Sequence, residues 1–249
     1  MLRYLLWLLL ASSTPVLAQT PSVAWYGAVG GGLVAFDNGA FSDRLQSYIP
    51  SDANGESIVY STPDFPMNGY TLDGSAALVP DGRFTIGVSG QMLSFKTIRA
   101  ITSPGHPRDE YALSGGGGGL DIGWVVVNDA GTLITPFIQA GYYGYRLDYT
   151  NNQIDPIPFF EGRPVASGST ASYTGAAPRG ALGLSLTRLL GADPSSSVAP
   201  VLHVRLSWGT MLARPRWREP DGSDVNNGGL TPAYNGVALS IQVGGGGRH

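Results

Sequence analysis

A two-residue alternation of apolar and polar side chains recurs along this chain. In residues 199–212, one register carries the basic residues His203 and Arg205. The other register is wholly apolar: Pro200, Leu202, Val204, Leu206 and Trp208. Successive side chains of a β-strand point to opposite sides, so this pattern predicts a strand with one apolar face. Helical periodicity is nearly absent, and the sequence therefore predicts an all-β protein.

Eight segments of this kind are separated by connections that alternate in length. The predicted strands cover residues 23–36, 70–79, 83–95, a segment ending at 127, 132–149, 173–190, 199–212 and 234–243. Short connections (80–82, 128–131 and 191–198) alternate with long ones (37–69, 97–110, 150–172 and 213–232). Long outer loops and short periplasmic turns are typical of outer-membrane barrels. We therefore predict an eight-stranded antiparallel up-and-down transmembrane β-barrel. A further hairpin at residues 57–61 would raise the count to ten.

The first residues have the layout of a secretory signal peptide. Arg3 supplies a positive charge, residues 5–11 are apolar, and small residues precede Gln19. The apolar run is too short to span a bilayer as a helix. We expect residues 1–18 to be the signal peptide and residues 19–249 to form the barrel domain in the bacterial outer membrane.

The composition favours a membrane over water. Charged residues make up 13% of the chain, against about 25% in a typical soluble domain. Lys96 is the single lysine, and cysteine is absent although export would permit disulfides. The formal charge of −3 becomes about −4 once Arg3 leaves with the signal peptide, so a nucleic-acid partner has no electrostatic basis. A soluble secreted barrel remains the alternative.

In its pattern of strands and loops, the whole mature chain resembles the small outer-membrane barrel proteins similar to the OmpA transmembrane domain and OmpX. The resemblance implies an eight-stranded meander barrel in a Gram-negative outer membrane, and we expect this barrel to be a monomer. Its implied partners are outer-membrane lipids and lipopolysaccharide, with the barrel-assembly machinery during insertion. Members of that group usually end in an aromatic residue, whereas this chain ends in "VGGGGRH".

Several polar side chains fall on registers that would face the barrel interior. They are Asp73, Gln91, Asp121, Gln139, Arg179, His203, Arg205 and Gln242. Eight strands leave an interior just wide enough for side chains to fill, and buried charges require partners. The sequence therefore predicts a satisfied polar network in the lumen. A proton or ion path through the same residues is the alternative.

A basic stretch, "RPRWREP", follows the seventh predicted strand. It could clamp the phosphates of lipopolysaccharide, with its tryptophan in the aromatic girdle of the membrane. A solvated strand end explains it equally well. The candidate contact residues are Arg214, Arg216, Trp217 and Arg218.

No catalytic, cofactor-binding or metal-binding residues are predicted. His203 and Ser207 share a face but lie about 13 Å apart along a strand, and the loop residue His106 has only Ser103 nearby. The glycine run 115–119 lacks the Lys-Ser/Thr pair of a phosphate loop. We expect a structural, adhesive or surface-binding role exerted through four long outer loops. A narrow channel is the alternative, and a lipid-A-modifying enzyme is less favoured.

Overall fold

The described part of the computed structural model consists of residues 23–36, 68–95, 98–100, 109–152, 157–158, 164–191, 197–224 and 236–248. The predicted signal peptide, the candidate hairpin at 57–61 and the loop residue His106 lie outside these residues.

Thirteen strands follow one another in the described residues. They are β1 (Val23–Phe36), β2 (Asn68–Leu78), β3 (Phe84–Phe95), β4 (Ile98–Ala100), β5 (Asp109–Trp124), β6 (Val127–Asp129), β7 (Thr132–Thr150), β8 (Ile157–Pro158), β9 (Pro164–Val165), β10 (Thr170–Leu189), β11 (Val198–Met211), β12 (Arg216–Arg218) and β13 (Gly236–Arg248).

Eight long strands close into an antiparallel barrel. Strands β1, β2, β3, β5, β7, β10, β11 and β13 each pair with the next, and β13 pairs with β1 to complete the ring. The eight-stranded all-β prediction is confirmed. Strand β1 pairs directly with β2 from Trp25 to Ala35.

The outward side chains of the wall form a continuous apolar surface, called here the apolar belt. Ile138, for example, is 63% exposed although it lies in the middle of β7. Soluble monomers rarely expose a contiguous apolar surface of this extent, whereas a transmembrane barrel presents it to lipid. The belt includes Val29, Leu33, Leu72, Ile86, Val88, Met92, Leu120, Ile122, Leu182, Leu184, Leu186, Leu206, Leu239, Ile241 and Val243.

Aromatic side chains border the belt at both ends. Phe84 and Trp124 point outward beside the short turns, with ring centroids 4.6 Å apart in an edge-to-face arrangement. Tyr70, Tyr142 and Trp208 point outward nearer the long connections. Aromatic girdles at the two membrane interfaces are a property of transmembrane barrels. Below, the end with the long connections is called the upper end, and the end with the short turns the lower end. Within the described ranges, no helix is long and apolar enough to cross a bilayer.

The last strand is longer than predicted. The alternation stops at Val243, but β13 continues to Arg248 because its glycines still pair with β1. A Cβ at Gly244 would overlap the carbonyl oxygen of Gly27. The glycine run therefore marks a close approach of two strands and not the end of a strand.

Three wall strands extend far above the belt. Strand β7 continues eight residues past Tyr142, about 27 Å along the strand. The upper parts of β5 and β10 flank it on either side. Strand β12 prolongs β11 by pairing with β10 at Thr174, Gly175 and Ala176. These upper parts of β5, β7 and β10, together with β12, are called the stem.

Candidate functional site

The barrel interior is filled in three layers. A polar layer lies between two apolar clusters, one at each end. The upper cluster consists of Val34, Leu93, Phe95, Tyr111, Leu113, Tyr143, Tyr145, Leu147, Tyr149, Val165, Tyr173, Trp217 and Ala238. The lower cluster consists of Val23, Tyr26, Ala77, Val79, Leu133, Leu189, Ala199 and Val201. The candidate lumen residues of the sequence lie between these clusters.

A bidentate ion pair crosses the polar layer. Arg205 on β11 donates from Nη1 to Asp121 Oδ2 over 2.8 Å and from Nη2 to Oδ1 over 3.0 Å. Each side chain is 11% exposed. The guanidinium carbon also lies 3.8 Å from the ring centroid of Phe137. The fork of the arginine matches the carboxylate oxygens, so the two buried charges compensate each other.

Arg179 is held differently from Arg205. Its guanidinium carbon lies 4.6 Å from the ring centroid of Tyr143. Gly209 on β11 leaves the space that this side chain fills, since a Cβ there would overlap the guanidinium. Within the described part of the chain, the buried Nη2 atom of Arg179 has no hydrogen-bond partner. Arg179 is thus a cation held chiefly by an aromatic ring.

Amide and hydroxyl side chains complete the polar layer. Thr71 donates to Asp73 Oδ2 over 2.5 Å, and Gln91, which faces Asp73 in the register, also hydrogen-bonds that carboxyl group. The remaining contacts join strands that are separated by one strand of the wall, or successive inward positions of one strand. They are Ser75 Oγ to Gln242 Oε1 (2.7 Å), Gln242 Nε2 to Ser240 Oγ (3.2 Å) and Gln139 Nε2 to Ser89 Oγ (2.6 Å).

His203 lies at the lower boundary of the polar layer. Its Nδ1 atom is 2.8 Å from Thr187 Oγ1 on β10, and its ring stacks on Tyr26 with centroids 4.8 Å apart. Its Nε2 atom has no partner among the described residues. His203 and Thr187 are both 0% exposed, so no substrate can reach this imidazole–hydroxyl pair. The residue packs as part of the interior.

The polar layer encloses little free space. Its cavity measures about 20 Å³ and is bordered by Asp73, Gln139, Arg179, Arg205 and Gln242 among others. That volume has room for about one water molecule. Among the described residues, this layer therefore holds its charges in fixed positions and leaves little space for water.

Above the belt, the upper cluster contains hydrogen-bonded tyrosines. Tyr149 Oη lies 3.3 Å from Asp109 Oδ2, and the rings of Tyr111 and Tyr149 have centroids 5.2 Å apart. Burial raises the pKa of both phenols, and the nearby carboxylate of Asp109 raises it further. Both hydroxyl groups therefore remain protonated donors at any physiological pH.

The basic stretch after β11 divides between the two sides of the wall. In β12, Arg216 and Arg218 point outward, whereas Trp217 is 2% exposed and packs over Gly175. Trp217 therefore does not lie in the membrane girdle, which was one of the two interpretations of this stretch. The alternation of β12 turns its ring into the upper cluster. Arg214 is exposed like Arg216 and Arg218.

A groove of about 1200 Å³ runs across the outer wall at the upper edge of the belt. Its floor crosses three adjacent strands at Gly116, Gly144 and Ala176, which the register places side by side. Outward side chains of the neighbouring strands form its walls. The sequence pattern does not indicate this groove, because only the strand register shows that these small residues are aligned.

Comparison with known proteins shows a similarity of fold only. No family model and no curated protein matches the chain. It is similar to the solved structure of Ail, the attachment invasion locus protein of Yersinia pestis (8% identity, 92% of this chain and 99% of that chain, TM-score 0.41). A major outer membrane protein from Thermus thermophilus (12%, 91% and 100%, 0.42) and CarO2 of Acinetobacter baumannii (8%, 90% and 99%, 0.29) are further examples. At these identities and scores the likeness carries no inference about function.

Proposed function

We propose that this protein is an outer-membrane barrel with a plugged interior, and that it works at its upper end as a rigid platform for binding at the cell surface. One observation supports this proposal above all others. The barrel has an apolar belt on its outside and an interior filled by three layers of side chains. The belt suits a bilayer, and the filling leaves the upper end as the surface available for function.

The filled interior favours a platform over a channel. A channel needs a continuous wet path, but the polar layer is covered by an apolar cluster on each side. The cavity between them has room for about one water molecule. The Arg205–Asp121 pair also joins β11 to β5 across the interior, and breaking it to admit an ion would leave buried charges without compensation.

The stem favours a role above the membrane. Long, paired strands carry β5, β7 and β10 well past the belt, and the upper cluster packs their inner sides. Binding residues are often found on loops that a rigid scaffold positions. A stem of paired strands supplies such a scaffold for the connections at the upper end.

The orientation can be tested with single cysteines, because the chain has no cysteine of its own. Asp221 lies in an exposed turn at the upper end, and Arg83 is exposed beside the lower turn. In intact cells, we expect a membrane-impermeant maleimide to label Asp221→Cys but not the matched variant Arg83→Cys. Both should be labelled after the outer membrane is broken. The reverse pattern would place the stem in the periplasm and overturn the proposal.

Insertion and plugging require two further measurements on the same purified protein. A closed barrel resists detergent until it is heated, so unboiled and boiled samples should migrate differently on a detergent gel. In planar bilayers, the inserted protein should show no steady conductance. A protein recovered from the periplasm without detergent would contradict the membrane assignment. A steady conductance that changes in Arg179→Gln or Arg205→Gln would instead establish a channel.

A further inference from the structure

From the groove on the outer wall, we infer a binding site for lipopolysaccharide, in which arginines bind the phosphates of its lipid A and the floor of the groove receives acyl chains. The inference rests on the proposed function, because it requires the upper end to lie in the outer leaflet. It adds a ligand and a site that the platform role does not need. The groove faces lipid, away from the barrel interior.

The groove combines an apolar part and a cationic part, as binding of a lipid with an anionic headgroup requires. Leu72, Met92 and Tyr142 line it at the level of the belt. Four arginines, Arg146, Arg214, Arg216 and Arg218, line it towards the stem, and the described lining contains no carboxylate. A lipid with acyl chains in the belt would therefore place its phosphates among guanidinium groups, which bind phosphate through paired hydrogen bonds.

Two of these arginines are available for an anion. Arg146 Nε lies 2.8 Å from Asp148 Oδ1, and Arg218 Nε lies 3.6 Å from Asp224 Oδ1. Neither Arg214 nor Arg216 has an ion-pair partner within the described ranges of the chain. Both are exposed, so they can turn towards a headgroup without breaking an ion pair among the described residues. Their two guanidinium groups complement the two phosphates of a bisphosphorylated lipid.

The width of the groove fits a lipid with several acyl chains. The register aligns Leu72, Met92, Gly116, Gly144 and Ala176 across neighbouring strands, and β12 adds a sixth strand at the far edge. Neighbouring strands are about 4.8 Å apart, so six strands cover an arc of about 24 Å along the curved outer wall. The three small residues in the middle leave the floor without large side chains. Several chains can therefore lie side by side on this part of the wall, which favours lipid A over a two-chain phospholipid.

The floor can be filled without damage to the backbone. A Cβ at Gly144 would lie 3.9 Å from the nearest atoms, the carbonyl oxygens of Gly116 and Gly175. Gly144→Leu should therefore fold and occupy the space of an acyl chain. Gly27 is the matched control, because it also lies on the outer wall with its nearest Cβ contact at 4.0 Å, but near the lower end of β1. Gly27→Leu adds the same side chain outside the groove.

The binding experiment uses the full mature protein in detergent, titrated with purified bisphosphorylated lipid A and followed by native mass spectrometry. We expect saturable binding that weakens about tenfold or more in the double variant Arg214→Gln/Arg216→Gln, because charge-assisted contacts are lost. Gly144→Leu should weaken it to a similar degree. Arg83→Gln, which removes one exposed arginine at the lower end, and Gly27→Leu should leave binding unchanged.

Two comparison lipids decide what the groove recognises. Lipid A without phosphates should bind weakly, and phosphatidylglycerol should bind less tightly than bisphosphorylated lipid A. Equal binding of all three lipids, or equal binding by all variants, would mean an unspecific lipid shell and would overturn the inference. A dimer that is lost in Gly144→Leu would overturn it by assigning the groove to a second copy of the chain. The cysteine-labelling and heat-shift experiments test the platform separately, so the lipid inference can fail while the platform stands.

Discussion

Arg205 and Asp121 join opposite parts of the barrel wall by two parallel hydrogen bonds of 2.8 and 3.0 Å. They are 84 residues apart in the chain and come from strands β11 and β5, which do not pair with each other. The pair therefore forms only when the wall from β5 to β11 is curved enough to bring these two strands together.

Loss of the carboxylate should be costly. In Asp121→Asn, Arg205 would remain buried against Phe137 without its counter-charge. We expect the free energy of unfolding to fall by about 3–5 kcal/mol, as measured by urea titration of the protein refolded into lipid vesicles. The matched control is Asp224→Asn, which breaks the exposed pair with Arg218 and should cost less than about 1 kcal/mol. If both variants lose the same free energy of unfolding, the buried pair stabilises the protein no more than the exposed pair does.

Two glycines on neighbouring strands should differ in whether they tolerate replacement by alanine. A Cβ at Gly117 would overlap the carbonyl oxygen of Tyr142, whereas a Cβ at Gly144 has its nearest contact at 3.9 Å. We therefore expect Gly117→Ala to destabilise the barrel by about 1–3 kcal/mol or more and to reduce the heat-shifted fraction on detergent gels. Gly144→Ala should leave that fraction unchanged. A stable Gly117→Ala barrel would show that β5 and β7 can move apart at this point.

A charge introduced into the apolar belt should destabilise the barrel more strongly the closer it lies to the middle of the belt. Ile138 points outward in the middle of β7, and Thr174 points outward on the stem. Ile138→Arg should lower the free energy of unfolding in vesicles by about 2–4 kcal/mol, and Thr174→Arg by about 0–1 kcal/mol. If both variants unfold alike, the belt does not face hydrocarbon.

The tryptophans should report which side chains meet lipid. Trp208 is 43% exposed on the outer wall, and Trp217 is 2% exposed inside the upper cluster. In proteins that retain one of these two tryptophans and have phenylalanine in place of the others, brominated lipids should quench the fluorescence of Trp208 strongly and that of Trp217 little. Strong quenching of Trp217 would show that this ring contacts lipid and lies in the membrane girdle.

Much of the fold can be predicted from the alternation of side chains. Strand β1 has the bounds that the pattern predicts, Val23–Phe36, and the eight-stranded closure follows from the sequence of strands and turns. The error at the end of β13 has a physical cause. Glycine has no side chain, so "GGGG" carries no period-two signal, although Gly244 is needed where β13 approaches Gly27.

The candidate site was only partly predictable. The structure places the polar lumen candidates in one layer, but which partners they contact depends on the stagger between strands. Arg179, for example, lies over the ring of Tyr143, a contact that the predicted polar network did not specify. For Trp217, the sequence already contained the signal, since the alternation "RWR" separates the tryptophan from its two arginines. The outer groove had no such signal, because it arises only when three distant segments are aligned.

The stem also determines how the protein responds to mechanical force. Strands β7 and β10 are paired without interruption from Thr150 and Thr170 at the top to Thr132 and Arg188 near the lower end. A pull on the connection between β7 and β10 acts along both strands, at right angles to the hydrogen bonds that join β7 to β5 and β10 to β11. The bonds are then loaded together and not one after another. Tension applied at the upper end is thus carried by both ladders down to the part of the wall that bears the apolar belt.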